Sequence, residues 1–182
     1  MPVAALLFSL SSCATTQTTT EVDEEDLFEW DGEDMEGKVS IVISLEEQKA
    51  YITIGGEEAG WTYVATGTRG HATPTGKFTV IEKTENKKSN RYGVIYNANG
   101  DIVTRDAKST RDKVPDGGNF EGASMPHWMR LTNYGIGMHE GYIPNPGHPA
   151  SHGCIRMPKD MAEILFEIVK PGTPVKITGT AP

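Results

Sequence analysis

The chain has 182 residues, 20 of them glycine, and its 25 acidic and 17 basic side chains give a formal net charge of -8. That length supports one domain with a sizeable core, and the composition is that of a turn-rich globular domain leaning toward β structure. Ten acidic residues fall between Glu21 and Glu36, so the chain from Lys38 onward is close to neutral and shows no nucleic-acid-binding patch.

The chain opens MPVAALLFSLSSCATTQTTT. The apolar stretch Val3 to Leu10 is far shorter than the roughly 20 residues that span a bilayer. It reads as the hydrophobic part of a secretion signal, although no Lys or Arg precedes it. Leu10-Ser11-Ser12-Cys13 resembles the lipobox of bacterial lipoproteins. By that resemblance residues 1–12 are a signal peptide and Cys13 carries lipid. The protein is then exported to the cell envelope and anchored to a membrane, facing the periplasm or cell wall. Residues 13–37 read as an acidic tether, within which Leu27, Phe28 and Trp30 are candidates to dock on the domain. With Cys13 set aside, Cys154 has no partner in the chain. Exported proteins normally pair their cysteines, so a leftover thiol asks for a chemical reason.

In VSIVISLEEQKAYITIGG (39–56), Val39, Ile41 and Ile43 alternate with polar or smaller residues, and Tyr51, Ile52 and Ile54 form the next run. Two strands around a turn at LEEQK are expected. GWTYVATGT (60–68) and KFTVIEK (77–83) are further strand candidates, and the basic run KTENKKSNR (83–91) reads as a solvated loop. RYGVIYNANGDIVTR (91–105) reads as a hairpin about Asn99-Gly100. HWMRLTNYGIGMH (127–139) reads as strands with glycines where segments pack closely. PKDMAEILFEIVK is the clearest helix, with Pro158 and Asp160 near its start and Ile164, Leu165, Ile168 and Val169 as its apolar stripe. Pro171-Gly172 stops it, and TPVKITG supplies a last strand. The expected fold is mostly β with one clear helix in the C-terminal region, in a domain over 38–182.

SHGCIRM (151–157) holds the unpaired thiol. A thiol attacks a carbonyl as its thiolate, and a reference pKa of about 8.5 calls for a nearby base or cation. His139 ends the strand-like GIGMH, His148 sits in YIPNPGHPA and His152 is two residues from Cys154. In an extended chain His152 shares the face of Cys154; in a tight turn it does not. Gly153 permits a backbone that aims N–H groups at a developing oxyanion. The residues alone leave two other readings open. One is a small buried thiol. The other is a zinc site of His139, His148, His152 and Cys154, whose spacing departs from the usual paired-ligand pattern.

Three segments narrow the choice: His139 followed by Ser151-His152-Gly153-Cys154-Ile155, ATPTGKF (72–78) upstream, and MPHWMRLTNYGIGMH leading into His139. With the closing PGTPVKI, they resemble the L,D-transpeptidase catalytic domain (YkuD) family of bacterial cell-wall enzymes. The loop of 11 residues between His139 and Ser151 is shorter than is common there, and Arg156 stands where the strict motif has Asn. The resemblance implies a β-sandwich-like domain that acts on peptidoglycan tetrapeptide stems. Cys154 would attack the peptide bond between an L- and a D-centre and form a thioester. An amine acceptor from a second stem or a protein would then take the acyl group. By the same resemblance His139 is the base and the Glu140 carbonyl orients its ring. His152, Gly153 and Cys154 supply oxyanion N–H groups; Ser151 and the positively charged Arg156 are candidates to support the substrate carboxylate or the loop. No cofactor or metal is implied. An L,D-carboxypeptidase, another cysteine peptidase or amidase, and a non-catalytic wall-binding lipoprotein are the alternatives.

Fused to a reporter, residues 1–37 are expected to carry it to the membrane fraction, and Cys13→Ala to release it. A reporter that stays soluble in the cytoplasm with both versions would overturn the anchor.

Overall fold

The computed structural model describes residues 27–179; Cys13 and the expected signal peptide lie outside them. In chain order the strands are β1 (Phe28–Trp30), β2 (Val39–Ser44), β3 (Lys49–Ile54), β4 (Glu57–Tyr63), β5 (Gly76–Thr79) and β6 (Glu82–Tyr96). They continue with β7 (Ile102–Lys108), β8 (Asn119–Arg130), β9 (Gly137–Glu140) and β10 (Ile155–Met157). The helix α1 (Lys159–Ile168) and β11 (Pro174–Thr178) close the domain. One sheet has the order β1-β4-β3-β2-β11-β5 and the other β10-β9-β8-β6-β7. Two pairs, β11 with β2 and β10 with β9, are parallel. The result is the mostly β, sandwich-like fold that was expected.

The period-two pattern read from the sequence does its work at the core. Ile41 and Ile43 of β2 and Ala50, Ile52 and Ile54 of β3 are buried on one face. They meet Met129, Met138 and Ile155 from the second sheet in one apolar cluster. From α1 the buried residues are Met161, Ala162 and Leu165, with Val169 just past its end. The stripe is therefore rotated from the one expected: Ile164 and Ile168 are only half-buried at its border.

Two expectations are corrected. The run 83–91 is not a loop but the first half of β6, a strand of 15 residues paired with β8. None of the residues from Glu82 to Arg91 is buried. Their polarity marks where the ribbon leaves the core, not where the strand ends. The tether boundary at 37 also moves. Leu27 is buried, and β1 pairs with β4 so that Trp30 lies opposite Gly60. Gly60 has φ +152, and a Cβ there would come within 2.2 Å of the Glu29 carbonyl oxygen, so glycine is what lets β1 dock.

Lys83 of β6 closes the C-terminal end of α1. Its ammonium donates to the carbonyls of Phe166 and, at 2.7 Å, Val169, and stands over the Phe166 ring. The last turn of α1 has no basic residue of its own, so Lys83 is the cation at the negative end of the helix dipole. Lys83→Met removes that donor while keeping the bulk of the stem. It is expected to lower unfolding stability in urea by about 1–3 kcal/mol. Unchanged stability would show that the contact contributes nothing.

Candidate active site

The site is built on the parallel pair β9–β10. Its register sets Ile155 opposite Met138 and Arg156 opposite His139. Alternation sends Met138, Ile155 and Met157 into the core, where all three are fully buried. His139 and Arg156 take the other face. Cys154 directly precedes β10 and is two residues from Arg156, so it belongs to the same face. All three line one cavity of about 590 Å³, together with Ser151 and His152.

His139 is 5% exposed and packs beside the Trp128 ring at 5.9 Å. Its Nδ1 donates to the Glu140 carbonyl at 2.5 Å, which leaves Nε2 as the basic nitrogen. The Glu140 carboxylate faces elsewhere, 3.4 Å from His127 Nδ1. Burial pushes the His139 pKa down to about 4; the bond to Glu140 opposes this and the Arg156 charge adds to it. Cys154 Sγ lies 3.6 Å from the Gly135 carbonyl oxygen. Burial pushes its thiol up, against the lowering effects of the Gly137 backbone and Arg156. Both shifts favour the uncharged forms, a thiol and an imidazole that line the same cavity.

The turn carrying Cys154 is tightly bonded. Ser151 Oγ donates to the Cys154 carbonyl at 2.5 Å and accepts the Gly153 N–H at 3.0 Å. Thr73 Oγ1 donates to the Gly153 carbonyl at 2.8 Å and accepts the Gly67 N–H at 2.9 Å. Gly153 has φ +115, a conformation that L side chains rarely adopt. The chain here is bent rather than extended. His152 accordingly joins an aromatic cluster, stacked on Tyr92 at 4.4 Å and edge-on to His71 at 4.7 Å, with Asp106 at 3.8 Å. Ser151 Oγ takes the Gly153 N–H, so Gly153 is not free to serve as the oxyanion donor expected there.

Much of what holds this turn has no local signature in the sequence. The Gln48 amide, on a residue with φ 52, bonds Thr66 through both its nitrogen and its oxygen at 2.8 Å. The Thr66 carbonyl accepts the N–H groups of Ala150 and Ser151. Thr73 carried a signal, since it stands in ATPTGKF; Gln48 and Thr66 carried none. His148 is exposed and does not line the cavity. Among the described residues no group of three or more His, Cys, Asp or Glu side chains is placed to hold a metal ion. Arg156 makes no ion pair among the described residues. Its stem runs over Gly141, where a Cβ would lie 2.8 Å from Arg156 Cγ.

A family model described as the L,D-transpeptidase catalytic domain matches residues 38–177. No curated protein gives a match. Among solved structures, an L,D-transpeptidase from Mycobacterium smegmatis superposes with TM-score 0.60 at 20% identity, covering 78% of this chain and 59% of that one. An Enterococcus faecium L,D-transpeptidase, solved as a cysteine-to-serine mutant, gives 0.57 at 26% identity over 79% of this chain and 50% of its own. An L,D-transpeptidase in complex with imipenem gives 0.56 at 20% identity, over 77% and 58%. The chain thus spans between 50% and 59% of the length of these three structures.

Alkylation of Cys154 by iodoacetamide, read by peptide mass, is expected to be slow at pH 7. It should climb about tenfold per pH unit to beyond pH 9, following the thiolate fraction of a thiol raised by burial. A rate that is flat from pH 6 to 9 would reveal a resting thiolate and refute the uncharged pair.

Proposed function

Because the chain belongs to the L,D-transpeptidase catalytic-domain family, we propose that it is a cysteine-dependent L,D-transpeptidase acting on peptidoglycan tetrapeptide stems. One observation carries the reading. Cys154 and His139 share the cavity face of β9–β10, and the bond from His139 Nδ1 to the Glu140 carbonyl leaves the ring in the tautomer a general base needs.

In the proposed reaction the Cys154 thiol gives its proton to His139 Nε2 as sulfur attacks the carbonyl between an L- and a D-centre. The N–H groups of His152 and Cys154 receive the developing oxyanion. His139 then protonates the departing amine, and the terminal D-residue leaves a thioester behind. An amine from a second stem or a protein enters, His139 takes its proton, and collapse of the second tetrahedral intermediate frees the thiol. Water as acceptor would make the enzyme an L,D-carboxypeptidase. Arg156, without a carboxylate partner among the described residues, is suited to hold the donor's terminal carboxylate. The lipobox reading adds an exported enzyme tethered through Cys13.

Intact-mass analysis with purified tetrapeptide stems, with and without an amine acceptor, tests the reaction. An acyl adduct on Cys154 and a transfer product are expected, as is an adduct with a carbapenem. Cys154→Ala should lose all three. His139→Ala should cost about 10² to 10⁴ in rate, whereas His148→Ala should stay within a few fold because that ring is outside the cavity. A Cys154→Ala protein that still forms the adduct would refute the assignment. Equal, large losses at both histidines would refute the role given to His139.

A further inference from the structure

The cavity is charged in a way the rest of the chain is not. From Lys38 onward the chain is close to neutral, its acidity being concentrated in residues 21–36. Yet five cations, Lys87, Arg91, Arg105, Arg130 and Arg156, and one carboxylate, Asp106, line this cavity. Of the five, only Arg130 has an ion pair among the described residues, with Glu82 at 2.7 Å. Arg156 lies on the face of the nucleophile. The other three unpaired cations line the same cavity from two neighbouring strands, Lys87 and Arg91 on β6 and Arg105 on β7.

This stretch of β6 is fixed relative to the nucleophile. The ladder between β6 and β8 slips between Lys88 and Gly93, and Ser89 Oγ accepts the N–H groups of Arg91 and Tyr92 within that bulge. The Arg91 guanidinium stands 5.5 Å from the centre of the Tyr92 ring. Tyr92 in turn stacks on His152, two residues from Cys154. A continuous line of contacts therefore leads from Arg91 to the turn that carries the thiol. Cations on a concave wall reinforce one another's field and draw in anions. A carboxylate within their reach gains charge-assisted hydrogen bonds.

We propose that Lys87, Arg91 and Arg105 form a second carboxylate subsite, and that the acyl donor this enzyme selects is a stem peptide with free, unamidated carboxylates besides its terminal one. The proposal rests on the transpeptidase reading of the same cavity. It gives a reason for the polar stretch of β6 beyond Lys83: a strand held out of the core to present charge to the substrate.

The test is binding of two tetrapeptide stems that differ only in amidation of the carboxyl groups other than the terminal one. Calorimetry uses the full chain carrying Cys154→Ala, so that nothing turns over. The carboxylate stem is expected to bind roughly 5- to 20-fold more tightly at low salt, a few modest ion pairs' worth. The advantage should shrink at 0.3 M salt and vanish in the triple variant Lys87→Gln, Arg91→Gln, Arg105→Gln. Each single variant should lose part of it, which carries the test if the triple variant does not fold. Equal binding, or a preference for the amidated stem, overturns the subsite. Discrimination that survives all the variants also overturns it. If the unmutated enzyme still turns over either stem in those cases, the transpeptidase reading stands. If neither stem binds or is turned over, both readings fall.

Discussion

The parallel pairing of β10 with β9 is the constraint on which the site depends. A parallel pair cannot be closed by a tight turn, so the chain must travel before it returns. Here the connection from 141 to 154 contains the turn that carries Cys154. The pairing also settles which side chains face the cavity. A slip of one residue in β9 would exchange His139 for Met138, putting an imidazole in the core and a thioether beside the thiol. Burial of Met138, Ile155 and Met157 opposes that slip. The candidate catalytic face is thus held in register by apolar residues that take no part in chemistry.

The same burial makes the pair reluctant to ionise. A ring whose pKa is pushed down to about 4 is a weak base for a thiol that is itself pushed up. Arg156 does not resolve this, because its charge favours the thiolate and disfavours the imidazolium together. Two backbone groups do act in the direction of proton transfer. The Glu140 carbonyl supports a protonated His139, and the Gly137 backbone supports a Cys154 thiolate. Both belong to β9. The strand that sets the geometry also supplies the polarisation, and in the proposed reaction the remaining cost would fall on the moment of attack.

The sequence made the core strands, the helix and the paired motif of His139 and Cys154 legible because each has a local signature. Alternation is a property of neighbouring residues, and so is the Ser-His-Gly-Cys run. What was illegible depends on where a residue stands in space. KTENKKSNR reads as a loop because polarity reports exposure, and an exposed segment can still be strand. Leu27, Phe28 and Trp30 were legible as apolar candidates to dock from within an acidic stretch; what no pattern gave was the sheet edge beside Gly60 that receives them. Gly153 reads as a source of an oxyanion N–H, and no sequence pattern reveals that Ser151 takes it.

Gln48 shows the same limit from the side of energetics. It holds Thr66, Thr66 holds Ala150 and Ser151, and Ser151 holds Gly153 and Cys154, over about a hundred residues of sequence. Each such bond is worth only about 1 kcal/mol net, but a buried partner left unmade costs about 1–3 kcal/mol. Gln48, Thr66, Thr73 and Ser151 are all buried, so breaking one link strands groups that water cannot reach. The network therefore tends to be wholly made or wholly lost. A turn held on those terms is fixed before any substrate arrives, which is the condition that the proposed oxyanion role of His152 and Cys154 would require.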